Sequence, residues 1–184
     1  MNLQSILKNI NYQGEVDNRE ISNITYDSRK VKEGSLFIAI SGQKEDGHDY
    51  IYEAVNKGAS AVIANGRAPI LDNIPIIQVS NPRKVMSKIA ANFYNNPSKE
   101  LNIIGITGTN GKSTTSKLLY EVLKNSKKDV RLTGNIGYPI LMEKKIKNNT
   151  IFVIEASSYQ LDYSKYFRSK YSIILNINPD HLER

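Results

Sequence analysis

Apolar and polar positions follow two rhythms along this chain. Residues 35–40 (SLFIAI), 61–64 and 76–79 are short apolar runs flanked by glycine, proline or asparagine, and they predict buried strands. Between the first two, residues 48–57 place Ile51, Ala54 and Val55 on one helical face, with Gly58 positioned to end that helix. From Pro82 onward Val85, Ile89 and Phe93 recur every four residues, which predicts a helix with the proline in its first turn. A polar, turn-forming stretch at 95–100 (NNPSKE) interrupts the pattern, and Pro97 argues against a helix running through it.

The alternation resumes beyond that point. Residues 101–106, 130–133, 151–154 and 171–176 predict strands, and a short helix separates the last two. Residues 112–123 predict a helix that buries Leu118, Leu119, Val122 and Leu123. Strands alternating with helices imply an α/β chain with mainly parallel sheets, divided into a small domain at 1–97 and a second at 98–184. Right-handed crossovers gather the loops after the strands on one edge, where ligands bind in such folds. Four strands make a thin second sheet, and 178–184 (NPDHLER) follows the last without a closing helix, so the expectation is an incomplete domain.

Composition narrows the chemistry. The 184 residues include no cysteine, which excludes disulfides, zinc–thiolate sites and cysteine nucleophiles. No apolar run approaches the roughly 20 residues that span a bilayer. The first fifteen residues also lack the pattern of a secretory signal, so a cytoplasmic protein with no membrane partner is expected. The net charge of +7 comes from scattered lysines, with short clusters at 124–128 and 144–147 but no arginine-rich stripe. That pattern favours a solvated basic surface over nucleic-acid binding, and it suits a phosphate-rich substrate.

The densest signal is TGTNGKSTT at 107–115, between a predicted strand and an amphipathic helix. Gly108 and Gly111 let backbone N–H groups turn onto phosphate oxygens where a Cβ would intrude, and the helix start favours the anion. Thr109 and Asn110 complete the loop, and Asn110 is expected to shape it. Lys112 would reach the β- and γ-phosphates of ATP, Ser113 would hold Mg²⁺, and Thr114 would cap or pack the helix start. The spacing is the short G-x-x-G-K-S, because Ile106 stands where the longer loop has its first glycine. Glu155 ends the IFVIE strand on the same edge, either as a carboxylate for the metal or as a solvated strand end. His181 follows the last strand in a similar place, either as a ligand or as a structural histidine.

Taken together, GITGTNGKST at 105–114, GNIG at 134–137, EASSYQL at 155–161 and LNINPDHLER at 175–184 resemble the Mur ligases, in the family's order. These are ATP-dependent amide-forming enzymes of peptidoglycan precursor synthesis. Within the family these motifs look most like the member that adds D-glutamate to UDP-N-acetylmuramoyl-L-alanine. The first segment resembles instead the UDP-binding domain of the member adding the third residue, diaminopimelate or lysine, through YDSR at 26–29, GSLFIAI at 34–40 and GASA at 58–61. The D-glutamate reading receives the greater weight, since the second segment's motifs lie beside the reacting carboxylate.

The resemblance implies a monomeric ligase acting on a UDP-N-acetylmuramoyl-peptide and an amino acid, with ATP and Mg²⁺. It implies that Lys112 stabilises the transferring phosphoryl group, that Ser113 and Glu155 hold one Mg²⁺, and that His181 holds a second. Asn135 and Ser158 would contact the substrate near its carboxylate; Asn135 equally suits a left-handed turn. Ser28 and the loop pair Gln43 and Lys44 would contact the uridine diphosphate, or serve only as turn and solvated loop. The family also places a carbamylated lysine and a third domain beyond the last motif, so this chain alone is expected to bind nucleotide weakly and not to complete the reaction. The alternatives are the third-residue ligase, another phosphate-loop enzyme such as a kinase, and a non-enzymatic nucleotide-binding module.

Overall fold

A computed structural model describes residues 1–42, 44–140 and 143–179, which divide into two compact units, Met1–Asn95 and Asn96–Arg184. Gln43 and His181, both candidates above, lie outside the described residues.

The first unit is a parallel four-stranded sheet in the order β1 (Asn23–Thr25), β2 (Ser35–Ile38), β3 (Ala59–Ala64), β4 (Ile76–Gln78). Strand β2 is buried along its whole length, because both faces are covered. Leu36 and Ile38 face one way, into a cluster with Leu3 and Ile6 of α1 (Leu3–Ile6) and Ile89 of α3 (Pro82–Phe93). Phe37 and Ala39 face the other way, against Ile51 and Ala54 of α2 (Ile51–Asn56). The two-residue period of the pleat thus explains a run that is apolar at every position. Helix α3 starts as its sequence predicts, with Pro82 in the first turn and the Asn81 side chain accepting from the Lys84 N–H. Helix α2 is preceded by a 3₁₀ turn, Gly47–Tyr50, where the sequence pattern predicts continuous α-helix, because Asp46 caps that turn through the His48 N–H.

The second unit is also a parallel four-stranded sheet, ordered β6 (Val130–Gly134), β7 (Ile151–Glu155), β5 (Asn102–Thr107), β8 (Tyr171–Ile174). Strand β5 is therefore central, and the α4 helix (Lys112–Asn125) begins after a four-residue loop, 108–111. Ile106, Val130 and Val153 pack under Leu119, Tyr120 and Leu123 of α4. On the opposite face Ile103, Phe152 and Ile154 pack against Leu101, Ile140 and Phe167. A short helix, α5 (Ser158–Tyr163), connects β7 towards β8.

Two expectations are corrected here. Leu118 and Val122 are 64% and 52% exposed, so α4 buries a narrower stripe than its sequence predicts. At about 100° per residue, Ser116, Leu119, Tyr120 and Leu123 share the face towards the sheet, while Leu118 and Val122 lie to one side of it. The last strand also stops at Ile174 rather than 176, because the backbone of Asn176 turns to the loop after β5.

Asp129 holds the starts of β6 and β7 together. Its carboxylate accepts from Thr150 Oγ1 at 2.7 Å and pairs with Arg131, while its carbonyl accepts from the Ile151 N–H at 2.8 Å. The Thr150 hydrogen bond first, then Arg131, hold the Asp129 carboxyl below its ordinary pKa.

Two outcomes follow for stability. Phe152→Ala should cost about 3–5 kcal/mol by leaving a cavity under the sheet, whereas Leu118→Ala should stay within about 0.5 kcal/mol; urea unfolding midpoints distinguish them. A depressed carboxyl pKa adds stability that is complete above the unfolded value and is lost as pH falls through the folded value. Asp129→Asn should therefore lower the melting temperature at neutral pH and flatten the acid side of the profile below about pH 4.

Candidate nucleotide-phosphate site

The second unit gathers its chemistry at the carboxyl ends of its strands. The register sets Glu155 opposite Ile106 of β5 and opposite Gly134 of β6. A side chain at position 134 would put its Cβ 2.2 Å from the Glu155 carbonyl oxygen, so this close crossing requires glycine. Gly111, at φ 81°, is the N-cap of α4 and gives the first-turn N–H groups no side-chain cap. Those donors, together with the helix dipole, make the end of β5 a candidate anion site. Thr114 lies exposed in that first turn and does not cap it, contrary to one expectation above.

Glu155 is 1% exposed. Its Oε1 accepts from the Ser113 hydroxyl and from Asn135 Nδ2, both at 3.3 Å, while Oε2 is buried with no hydrogen-bond partner among the described residues. A buried carboxylate oxygen without a partner is costly, and a bound cation relieves that cost. The donor set fits Mg²⁺, which characteristically takes one or two protein oxygens and completes its shell with phosphate and water. No cluster of three or more histidine or acidic side chains able to hold a metal occurs among the described residues, so such an ion would depend on Ser113, Glu155 and the ligand's own oxygens.

The structure brings Ser113, Asn135 and Glu155 together, as the sequence led us to expect, and it removes the left-handed turn as the reason for Asn135. The left-handed positions of its loop belong to Gly134 and Gly137, so Asn135 is not there to tolerate a turn. Its backbone N–H is bonded to the Glu155 carbonyl at 2.9 Å. Lys112 Nζ donates to the Gly108 and Thr109 carbonyls at 2.8 and 2.9 Å, so its ammonium rests against the loop it belongs to. Ser158 lines a cleft of about 390 Å³ together with Gly108, Lys112, Leu161 and Asn176. Sequence reasoning overlooked Ser157, which closes a capping box with Gln160; the S-x-x-Q spacing was the available signal.

In the first unit, Ser28 sits in a 3₁₀ turn capped by Asp27, is 8% exposed, and lends its carbonyl to Lys57. Lys44 is exposed in the loop after β2. That loop is held at its base by Asp46, which accepts from Ser41 Oγ and His48 Nδ1 and lies 3.6 Å from Arg67, while Arg83 donates to the Ser41 carbonyl.

Two family models match this chain: the Mur ligase middle domain over residues 106–184, and the Mur ligase family catalytic domain over residues 20–94. The UDP-N-acetylmuramoyl-L-alanyl-D-glutamate–2,6-diaminopimelate ligase of Clostridioides difficile is 39% identical, over 95% of this chain and 40% of its own length. The enzyme of that name from Clostridium botulinum is 36% identical, over 100% of this chain and 43% of its own. This chain thus spans about two fifths of the length of these relatives. Among solved structures, a diaminopimelate ligase of the same name superposes with a TM-score of 0.72 at 24% identity, covering 99% of this chain and 41% of that one. The MurF ligase of Thermotoga maritima in complex with ADP gives 0.61 at 28% identity, covering 87% and 38%. With matching domain models in both units and the expected parallel α/β architecture, this chain belongs to the Mur ligase family.

Proposed function

We propose that the protein carrying these two units is an ATP-dependent amide-forming ligase of peptidoglycan precursor synthesis that adds 2,6-diaminopimelate to a UDP-N-acetylmuramoyl-dipeptide. The observation that carries the nucleotide half is the buried, half-partnered Glu155 carboxylate beside the Ser113 hydroxyl, at the start of a helix without a side-chain cap. The choice of amino acid rests on relatives that match both units and are named as diaminopimelate ligases. Those relatives favour the third-residue reading over the D-glutamate one expected from the second segment. The motifs of that segment serve carboxylate activation, a step the ligases share, so they discriminate poorly between incoming amino acids.

In this reading a substrate carboxylate oxygen attacks the γ-phosphorus of ATP, ADP leaves, and an acyl phosphate forms. The amine of the incoming amino acid then attacks the acyl carbon, inorganic phosphate departs, and the amine proton passes to solvent or a base. Phosphoryl transfer of this kind needs mostly alignment and charge neutralisation. Lys112 swings from the Gly108 and Thr109 carbonyls to the β- and γ-phosphates. Ser113 and Glu155 would hold Mg²⁺, which neutralises phosphate charge when bound. Asn135 orients Glu155 and, together with Ser158, would contact the substrate near its carboxylate. The first unit holds the uridine diphosphate at the carboxyl edge of its sheet, near Ser28 and Lys44.

The complete gene product, given ATP, UDP-N-acetylmuramoyl-L-alanyl-D-glutamate and 2,6-diaminopimelate, should release phosphate in step with tripeptide formation. Lys112→Ala should lower kcat at least about 100-fold. Phosphate release only with UDP-N-acetylmuramoyl-L-alanine and D-glutamate would overturn the amino-acid assignment, and undiminished turnover by Lys112→Ala would overturn the role of the loop.

A further inference from the structure

We propose that Asn176 is a positioning residue for the phosphate loop: its carboxamide locks the first half of the loop, so that nucleotide affinity depends on it. The proposal rests on the nucleotide site described above and adds a residue to it.

The chain leaving β8 crosses the loop that leaves β5. Leu175 donates its N–H to the Thr107 carbonyl at 3.0 Å, extending the ladder by one residue. Asn176 then meets the loop with both ends of its side chain. Its Oδ1 accepts from the Thr109 and Asn110 N–H groups at 3.1 and 2.9 Å, and its Nδ2 donates to the Asn110 carbonyl at 3.1 Å. The Asn176 carbonyl also accepts from the Thr109 N–H at 3.1 Å. Two residues on, Asn178 exchanges hydrogen bonds with the Thr109 hydroxyl, its N–H donating at 3.0 Å and its carbonyl accepting at 3.2 Å. The crossing is so close that a Cβ on Gly108 would lie 3.1 Å from both the N and the O of Asn176, and Gly108 has φ +138°.

This arrangement divides the loop between two duties. The N–H groups of Thr109 and Asn110 face Asn176, which leaves phosphate to the donors from Gly111 into the start of α4. The short G-x-x-G-K-S spacing leaves few peptide units with which the loop could brace itself, and Asn176 supplies the brace from outside. The same contacts fix the peptide units whose carbonyls hold Lys112 Nζ, at Gly108 and Thr109. The carboxamide meets both needs on separate atoms, Oδ1 accepting from two N–H groups while Nδ2 donates to one carbonyl. Aspartate keeps the acceptor, loses the donor, and adds a negative charge beside the polyphosphate.

The test uses the complete gene product with Mg²⁺ and ADP as the probe. Asn176→Ala should raise the Kd for ADP and the KM for ATP about tenfold, through the loss of three side-chain hydrogen bonds, and leave the KM for the UDP-linked substrate unchanged. Asn176→Asp should weaken nucleotide binding further. In the unaltered, nucleotide-free protein the amide protons of Thr109 and Asn110 should exchange slowly by NMR, a readout that does not depend on any variant folding. Fast exchange at both amides would overturn the proposal, as would unchanged ADP affinity in Asn176→Ala, or a parallel rise in every KM together with a lower melting temperature. If the unaltered protein binds no ADP, the nucleotide site itself fails, whatever the exchange rates show.

Discussion

The second unit is organised by one register: Glu155, the last residue of β7, stands opposite Ile106 of the central strand and opposite Gly134 of β6. That alignment places a carboxylate under the start of α4, where the dipole and the uncapped N–H groups already favour negative ligands. A carboxylate buried there is unfavourable unless something positive joins it, because one of its oxygens has no partner among the described residues. The geometry therefore suits a cation and a polyanion together, and in the function proposed above the protein would contribute few ligands and the nucleotide the rest. The glycine at 134 and the hydroxyl at 113 are consequences of that placement, one by yielding space and the other by reaching across.

Each unit repeats the same physical plan with different ends. Both are four-stranded parallel sheets with apolar side chains on both faces, so strand positions carry little chemistry and the loops at the carboxyl edge carry most of it. In the first unit the edge is built from capped turns: Asp27 caps the turn containing Ser28, and Asp46 ties Ser41, His48 and Arg67 at the base of the loop after β2. The backbone N–H of His48 first, then its ring, hold the Asp46 carboxyl below its ordinary pKa. A loop braced in this way presents its outer residues, such as Lys44, with less freedom to lose on binding.

Much of this was legible in the residues. The phosphate loop, the strand that precedes it and the carboxylate of Glu155 could be read because each rests on local pattern: a glycine spacing, an apolar run, a charge at its end. The burial of α4 was read too broadly, since Leu118 and Val122 have the right chemistry but the wrong angle, and only packing against a particular sheet fixes that angle. The brace from Asn176 was invisible for a different reason. Residues 109 and 176 meet only because β8 lies beside β5 in space, and no local pattern announces which strands become neighbours. The amino-acid preference was not legible because the shared activation chemistry dominates the motifs; the relatives that match both units are named as diaminopimelate ligases, the alternative that the first segment suggested.

The most direct test of the account is a crystal structure of the complete gene product with ADP and Mg²⁺. The metal should lie about 2.0–2.1 Å from Ser113 Oγ, with Glu155 Oε2 reaching it directly or through one water. The β-phosphate should rest on the N–H groups at the start of α4. A nucleotide bound away from the end of β5, or a metal that touches neither Ser113 nor Glu155, would contradict it.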